Sequence, residues 1–180
     1  MILYFSATGN TQYAARRIAE VTGDTLVSIR NCMSKGQSEF HLQKDEDFGV
    51  VMPTYFQGMP LFLQEFMENL TLTMEGTEHY AYAAATCGVS YGNFDSEAVR
   101  AAGKAGIQLD ATFRIRMVDN WNPYFDMTDK EYIGAAEQRA EEDLAEVCAS
   151  IAGKEKGIYL PDNFDRKQEE EMMRSRNTGG

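Results

Sequence analysis

The chain begins MILYFSATGNTQYAARRI (residues 1–18), and the crowding of Ser6, Thr8, Gly9 and Thr11 between an apolar run and a helical pattern decides how the rest is read. Met1 to Phe5 is apolar without alternation, as a strand buried on both faces requires. From about Thr11 to Val21, Ala14, Ala15, Ile18 and Ala19 fall on one helical face, and Gly23 supplies a stop. A tight strand-to-helix turn leaves the first helical N–H groups without partners in the helix, and the helix dipole adds to their pull on an anion. Ser6, Thr8 and Thr11 add hydroxyls, Ala7 and Asn10 keep the loop small, and Gly9 permits a backbone conformation other residues resist. No lysine or arginine lies in residues 6–11, so neutral donors would hold the anion. A nucleoside-triphosphate loop would read G-x-x-x-x-G-K-[ST] and a dinucleotide loop G-x-G-x-x-G; neither is present, which leaves a lone phosphate monoester.

The same alternation continues. TLVSI (residues 25–29), FGVVM (48–52), YAYAAAT (80–86) and ATFRIRMV (111–118) read as further strands; Arg114 and Arg116 in the last place it at an edge. Pro60 opens a helix carrying Leu61, Phe62, Phe66, Met67 and Leu70, and Asp95 or Ser96 caps one carrying Ala98, Val99 and Ala102. Thr128 and Glu131 have capping-box spacing ahead of the longest helix, which Gly153 ends. The polar stretch from Arg30 to Asp47 reads as loop with at most a partial turn of helix. Five strands alternating with helices give an α/β fold, a parallel sheet with helices on both faces.

With 180 residues, 43% of them hydrophobic, the chain can bury one core. Residues 1–153 form the expected domain; residues 154–180, with six acidic and six basic side chains and few apolar ones, form a C-terminal tail expected to be partly helical or disordered. The net charge of −11 therefore belongs to the domain, 22 acidic against 11 basic side chains, which repels nucleic acid and anionic lipid and steers toward a partner with a basic patch. No apolar run of membrane-spanning length and no export signal is present, so a cytoplasmic protein is expected. Cys32, Cys87 and Cys148 lie too far apart to spell a disulfide framework or a metal site, and His41 and His79 are isolated; no metal is expected.

The hexapeptide Ser6-Ala7-Thr8-Gly9-Asn10-Thr11 resembles the [ST]-x-T-G-N-T loop by which flavodoxins hold the phosphate of FMN. The resemblance covers residues 1 to about 153 and is nearest to flavodoxin modules found alone or fused to bacterial ferredoxin domains, whose clustered cysteines this chain lacks. It implies a three-layer sandwich with strand order 2-1-3-4-5, and FMN as cofactor. It also points to two further loops after the third and fourth strands as the ones that clasp the flavin: Pro53, Thr54, Tyr55, Phe56, Gln57 and Gly58, then Thr86, Cys87, Gly88, Tyr91, Gly92, Asn93 and Phe94. An isoalloxazine ring needs flat apolar walls and a flexible backbone at its polar edge, which aromatics among glycines supply. Tyr91 is expected as one wall and Tyr55 or Phe56 as the other; Gly58 matches the residue whose peptide flips toward the reduced ring in flavodoxins. Trp121, in Asp119-Asn120-Trp121-Asn122-Pro123 after the last strand, lies at the same end of the sheet.

Two other uses of such a fold fail on residues. A low-molecular-weight phosphatase needs arginine six positions after its cysteine, where Asn93 follows Cys87, and a receiver domain needs an aspartate where Met52-Pro53 stands. The expectation is an FMN-binding electron carrier without catalytic side chains of its own, exchanging electrons with a reductase or ferredoxin-type partner that presents a basic docking patch. The alternative is an FMN-dependent NAD(P)H:acceptor oxidoreductase acting on quinones or nitro compounds. Absence of a second nucleotide-binding fingerprint favours the carrier. A third reading is a flavin-sensing module that docks through its tail.

Overall fold

The computed structural model describes residues 1–120 and 126–159. Its elements in chain order are β1 (Ile2–Tyr4), α1 (Asn10–Thr22), β2 (Leu26–Ser28), α2 (Ile29–Lys35), β3 (Glu39–Leu42), β4 (Phe48–Pro53), α3 (Leu61–Glu68), β5 (Thr71–Met74), β6 (Ala81–Cys87), α4 (Phe94–Lys104), β7 (Ala111–Arg116) and α5 (Lys130–Ala152). Five strands form one parallel sheet in the order β2-β1-β4-β6-β7. Numbered among themselves these strands read 2-1-3-4-5, the expected doubly wound order.

Strand alternation sorts the core into two layers. Leu3, Val50, Met52, Ala83 and Ala85 face the cluster built with α2, α3 and α4, whereas Ile2, Val51, Tyr82 and Ala84 face α1 and α5. The run of alanines in β6 lets helices approach the sheet centre closely from both sides. Gly49 pairs with Tyr82 across β4 and β6, and a Cβ on Gly49 would stand 2.4 Å from the Tyr82 hydroxyl, so the glycine makes room for a fully buried tyrosine. That burial pushes the Tyr82 phenol well above its ordinary pKa.

Several local expectations need correction. The stretch from Arg30 to Asp47 is not mainly loop: Ser28 caps α2, its Oγ accepting the Asn31 N–H, and β3 pairs in parallel with β5 as a separate two-stranded sheet. Neither Asp95 nor Ser96 caps α4; the helix starts two residues earlier with Asn93 at its N-cap position, and Asp95 lies inside the first turn. α5 is capped by Asp129, whose side chain accepts from the N–H groups of Glu131 and Tyr132, rather than by Thr128. β7 is the edge strand its alternation foretold, and residues 154–159 follow α5 back alongside it. Among the described residues no helix is long and apolar enough to cross a membrane.

Candidate functional site

Parallel strands deliver their carboxyl ends to one rim, and in this fold class ligands bind in the crevice there. The crevice is a cavity of about 640 Å³, within the range of about 300–1,000 Å³ usual for small-molecule sites. Four segments wall it: the loops after β1, β4 and β6, and residues 117–120 after β7.

In the first loop Gly9 takes φ +112 at the start of α1, and no side chain among the described residues caps that helix, so its leading amides are left without a cap there. Ser6 Oγ accepts the Gly9 N–H at 3.0 Å, which shapes the turn and leaves the Ser6 proton to donate elsewhere. Thr11 is spent internally: its hydroxyl meets that of Thr86 at 2.7 Å in a buried pair joining α1 to β6. Thr8, exposed, lines the cavity with Ala7. Asn10 also lines it and donates from Nδ2 to the Val118 carbonyl at 2.8 Å, tying this loop to the segment after β7.

The second loop turns sharply. The Tyr55 N–H donates to the Gly58 carbonyl at 2.9 Å, and the two residues between, Phe56 and Gln57, have φ +50 and +63. Such angles suit glycine or asparagine; a phenylalanine there is strained unless neighbours hold it. Three contacts do. Buried Glu97 accepts the Met59 N–H at 2.6 Å, Thr54 Oγ1 donates to the Ser90 carbonyl at 3.1 Å, and the Gln57 carbonyl accepts the Asn93 N–H at 3.0 Å. Phe56 is 82% exposed at the mouth, next to Tyr55.

The third loop interlocks with the second. Gly92, at φ +53, lies so close to the Gln57 backbone that no Cβ fits between them. Gly88 is pressed likewise against Asp119, its imagined Cβ 2.3 Å from that of Asp119. Cys87 lines the cavity from beneath, and burial pushes its thiol up to about 11, against a lowering by its hydrogen bond to Tyr91. Burial likewise raises the Tyr91 phenol, and its pairing with Cys87 raises it further.

Of the residues expected from sequence, Ala7, Thr8, Asn10, Thr11, Pro53, Thr54, Tyr55, Phe56, Gln57, Thr86, Cys87 and Gly88 come together on the cavity wall. Ser6, Gly9, Gly58, Gly92 and Asn93 shape the loops without lining it, and Phe94 is sealed in the core at the head of α4. Tyr91 is off the wall too, its ring 5.1 Å from the Arg114 guanidinium carbon; the apolar surface on the cavity's third-loop side is Val89 instead. Val89, Ser90, Met117 and Val118 were not among the candidates expected from sequence, and Asp119 and Asn120 were placed only at the same end of the sheet. Their signal was position, since the end of the fifth sheet strand reaches the same rim. Trp121 lies outside the described residues. Asp119 is the one charged side chain among the described residues of the lining.

No family model matches the chain, and no curated protein matches it. Among solved structures it is similar to a flavodoxin of Streptococcus pneumonia TIGR4 at 17% identity and TM-score 0.44, over 81% of this chain and 97% of that one. It is similar also to a flavodoxin from the domain Archaea at 15% identity and TM-score 0.41, over 81% and 96%. A third is the rubredoxin oxygen:oxidoreductase of Desulfovibrio gigas, at 18% identity and TM-score 0.42, over 81% of this chain and 36% of that one. By its own strand order, helical layers and rim crevice, the fold of this chain is flavodoxin-like.

Proposed function

We propose that the protein binds FMN in this cavity and carries electrons between redox partners. The observation behind this is the joining, in one cavity, of a loop rich in uncharged donors at a helix start with two loops that present Tyr55, Phe56 and Val89 as apolar surface. The donor set suits the group: amides of the α1 start with Thr8 for a phosphate monoester, and flat side chains for the ring. Bound there, the flavin would supply the redox chemistry. The chain's part is to bind, orient and exclude water. Thr54 and Gln57 hold the second loop against the third, and Met117 and Val118 close the floor.

Adding FMN at about a hundred times its dissociation constant should stabilise the folded protein by about 2.7 kcal/mol, which for a domain of this size raises Tm by roughly 5–10 °C. Riboflavin, without the phosphate, should give a much smaller shift. A melt unchanged by saturating FMN, with flavin fluorescence unquenched, ends the proposal.

The acidic domain should disfavour negative charge on the reduced flavin, and Asp119 is the carboxylate at hand. Asp119→Asn is expected to raise the midpoint potential of the bound cofactor by roughly 20–60 mV at low ionic strength and by less in concentrated salt. Potentiometric titration reads this; equal potentials in both proteins would remove Asp119 as a tuning group. The same excess of carboxylates, with exposed Phe56 and Val89 at the mouth, suits a partner presenting apolar surface ringed by lysine and arginine.

A further inference from the structure

After α5 the chain is pinned along the outer edge of β7. The Gly157 N–H donates to the Asp110 carbonyl and the Gly157 carbonyl accepts the Thr112 N–H, both at 2.9 Å; the Tyr159 N–H donates to Thr112 Oγ1 at 3.1 Å. The Tyr80 hydroxyl donates to the Glu155 carbonyl at 2.6 Å, and Lys154 and Lys156 pair with Asp47 and Asp110. This delivers the Tyr159 ring onto Arg114, 3.6 Å from ring centroid to guanidinium carbon. Arg114 in turn meets Asp95 through Nε at 3.1 Å and stands beside the Tyr91 ring, and Tyr91 follows, in the same loop, Cys87, Gly88, Val89 and Ser90 of the cavity wall. Tyr159, Arg114 and Tyr91 thus run in contact from the sheet edge to the loop that walls the cavity.

We infer that Tyr159 is a positioning residue for the ligand cavity: stacked on Arg114, it braces Tyr91, and Tyr91 holds residues 88–93 closed against the second loop. The inference rests on the FMN reading only for the identity of the ligand. Loss of one cation–π contact of this kind is worth a factor of about 5 in the closed population. A bland surface stack would leave the cavity untouched.

The test uses the full chain with Tyr159→Ala and Tyr159→Phe, since phenylalanine keeps the stacking face. Cys87 labelling by a thiol reagent, resolved from Cys32 and Cys148 by peptide mass analysis, reads loop opening without any ligand. It should run about 5-fold faster in Tyr159→Ala and near the wild-type rate in Tyr159→Phe, and FMN should dissociate about 5-fold more readily from the alanine variant alone. Equal Cys87 labelling in all three proteins, equal acceleration in both variants, or FMN affinity within two-fold of wild type in Tyr159→Ala overturns the inference. Wild-type protein that fails to bind FMN while the labelling contrast persists overturns the cofactor reading and leaves the brace standing.

Discussion

Gly92→Ala is expected to unfold roughly 5–15 °C below the wild type and to bind FMN about 100-fold more weakly. The added Cβ would stand 1.9 Å from the Gln57 carbonyl oxygen and 2.3 Å from its carbon, and both are backbone atoms. Gln57 has nowhere to retreat. Its φ is already +63, Phe56 before it is at +50, and its carbonyl holds the Asn93 N–H. Moving it breaks that bond and unwinds the turn that presents Tyr55 and Phe56. Position 92 has φ +53, which costs a residue with a side chain a further 1–2 kcal/mol or so. Together these place the loss at about 2–4 kcal/mol, concentrated in the two loops that meet over the cavity. Gly103→Ala is the control: it lies in α4 with open space around its Cβ direction, so it should be neutral or stabilise by up to about 1 kcal/mol. Thermal melts and fluorescence titration of FMN read both variants. A Gly92→Ala protein as stable and as tight-binding as the control would mean that the second and third loops do not interlock.

The layers of this fold were legible because each depends on runs that carry their own period. MILYF, FGVVM and YAYAAAT announce strands buried on both faces, and their order of appearance with helices between them is enough for a doubly wound sheet. β3 and β5 were missed for a physical reason. Each is four residues long, and Phe40 and Leu42 alternate with Glu39 and His41 over too short a span to stand out; their pairing is a tertiary event across an intervening strand and helix. The tight strand-to-helix turn after β1 was legible in composition, since Ser, Thr and Gly crowd where a strand hands over to a helix. The direction of Tyr91 was not. Nothing local distinguishes an aromatic that faces a cavity from one drawn inward by an arginine 23 positions later. The reading of Asp95 as a helix cap failed in the same way, because a carboxylate near a helix start satisfies a capping pattern whether or not a distant cation claims it.

That distant cation makes Asp95→Ala the second severe substitution. Asp95 is 2% exposed, and its Oδ2 accepts from both Nε and Nη2 of Arg114, while Oδ1 has no hydrogen-bond partner among the described residues. The carboxylate also stands in the first turn of α4, where the helix dipole favours negative charge. Alanine removes both supports and leaves the guanidinium between Tyr91 and Tyr159 without its counter-charge. Breaking a buried pair costs about 3–5 kcal/mol, but the Arg114 side chain keeps a quarter of its surface in water and can be partly resolvated, so about 2–4 kcal/mol is expected here. Urea unfolding should show the midpoint fall with little change in slope. Asp95→Asn keeps the shape and an acceptor oxygen for Arg114 while losing the charge, and should fall between alanine and wild type. An asparagine variant as stable as the wild type would assign the role of Asp95 to hydrogen bonding alone. An alanine variant as stable as the wild type would show that Arg114 is held by its two rings and needs no carboxylate.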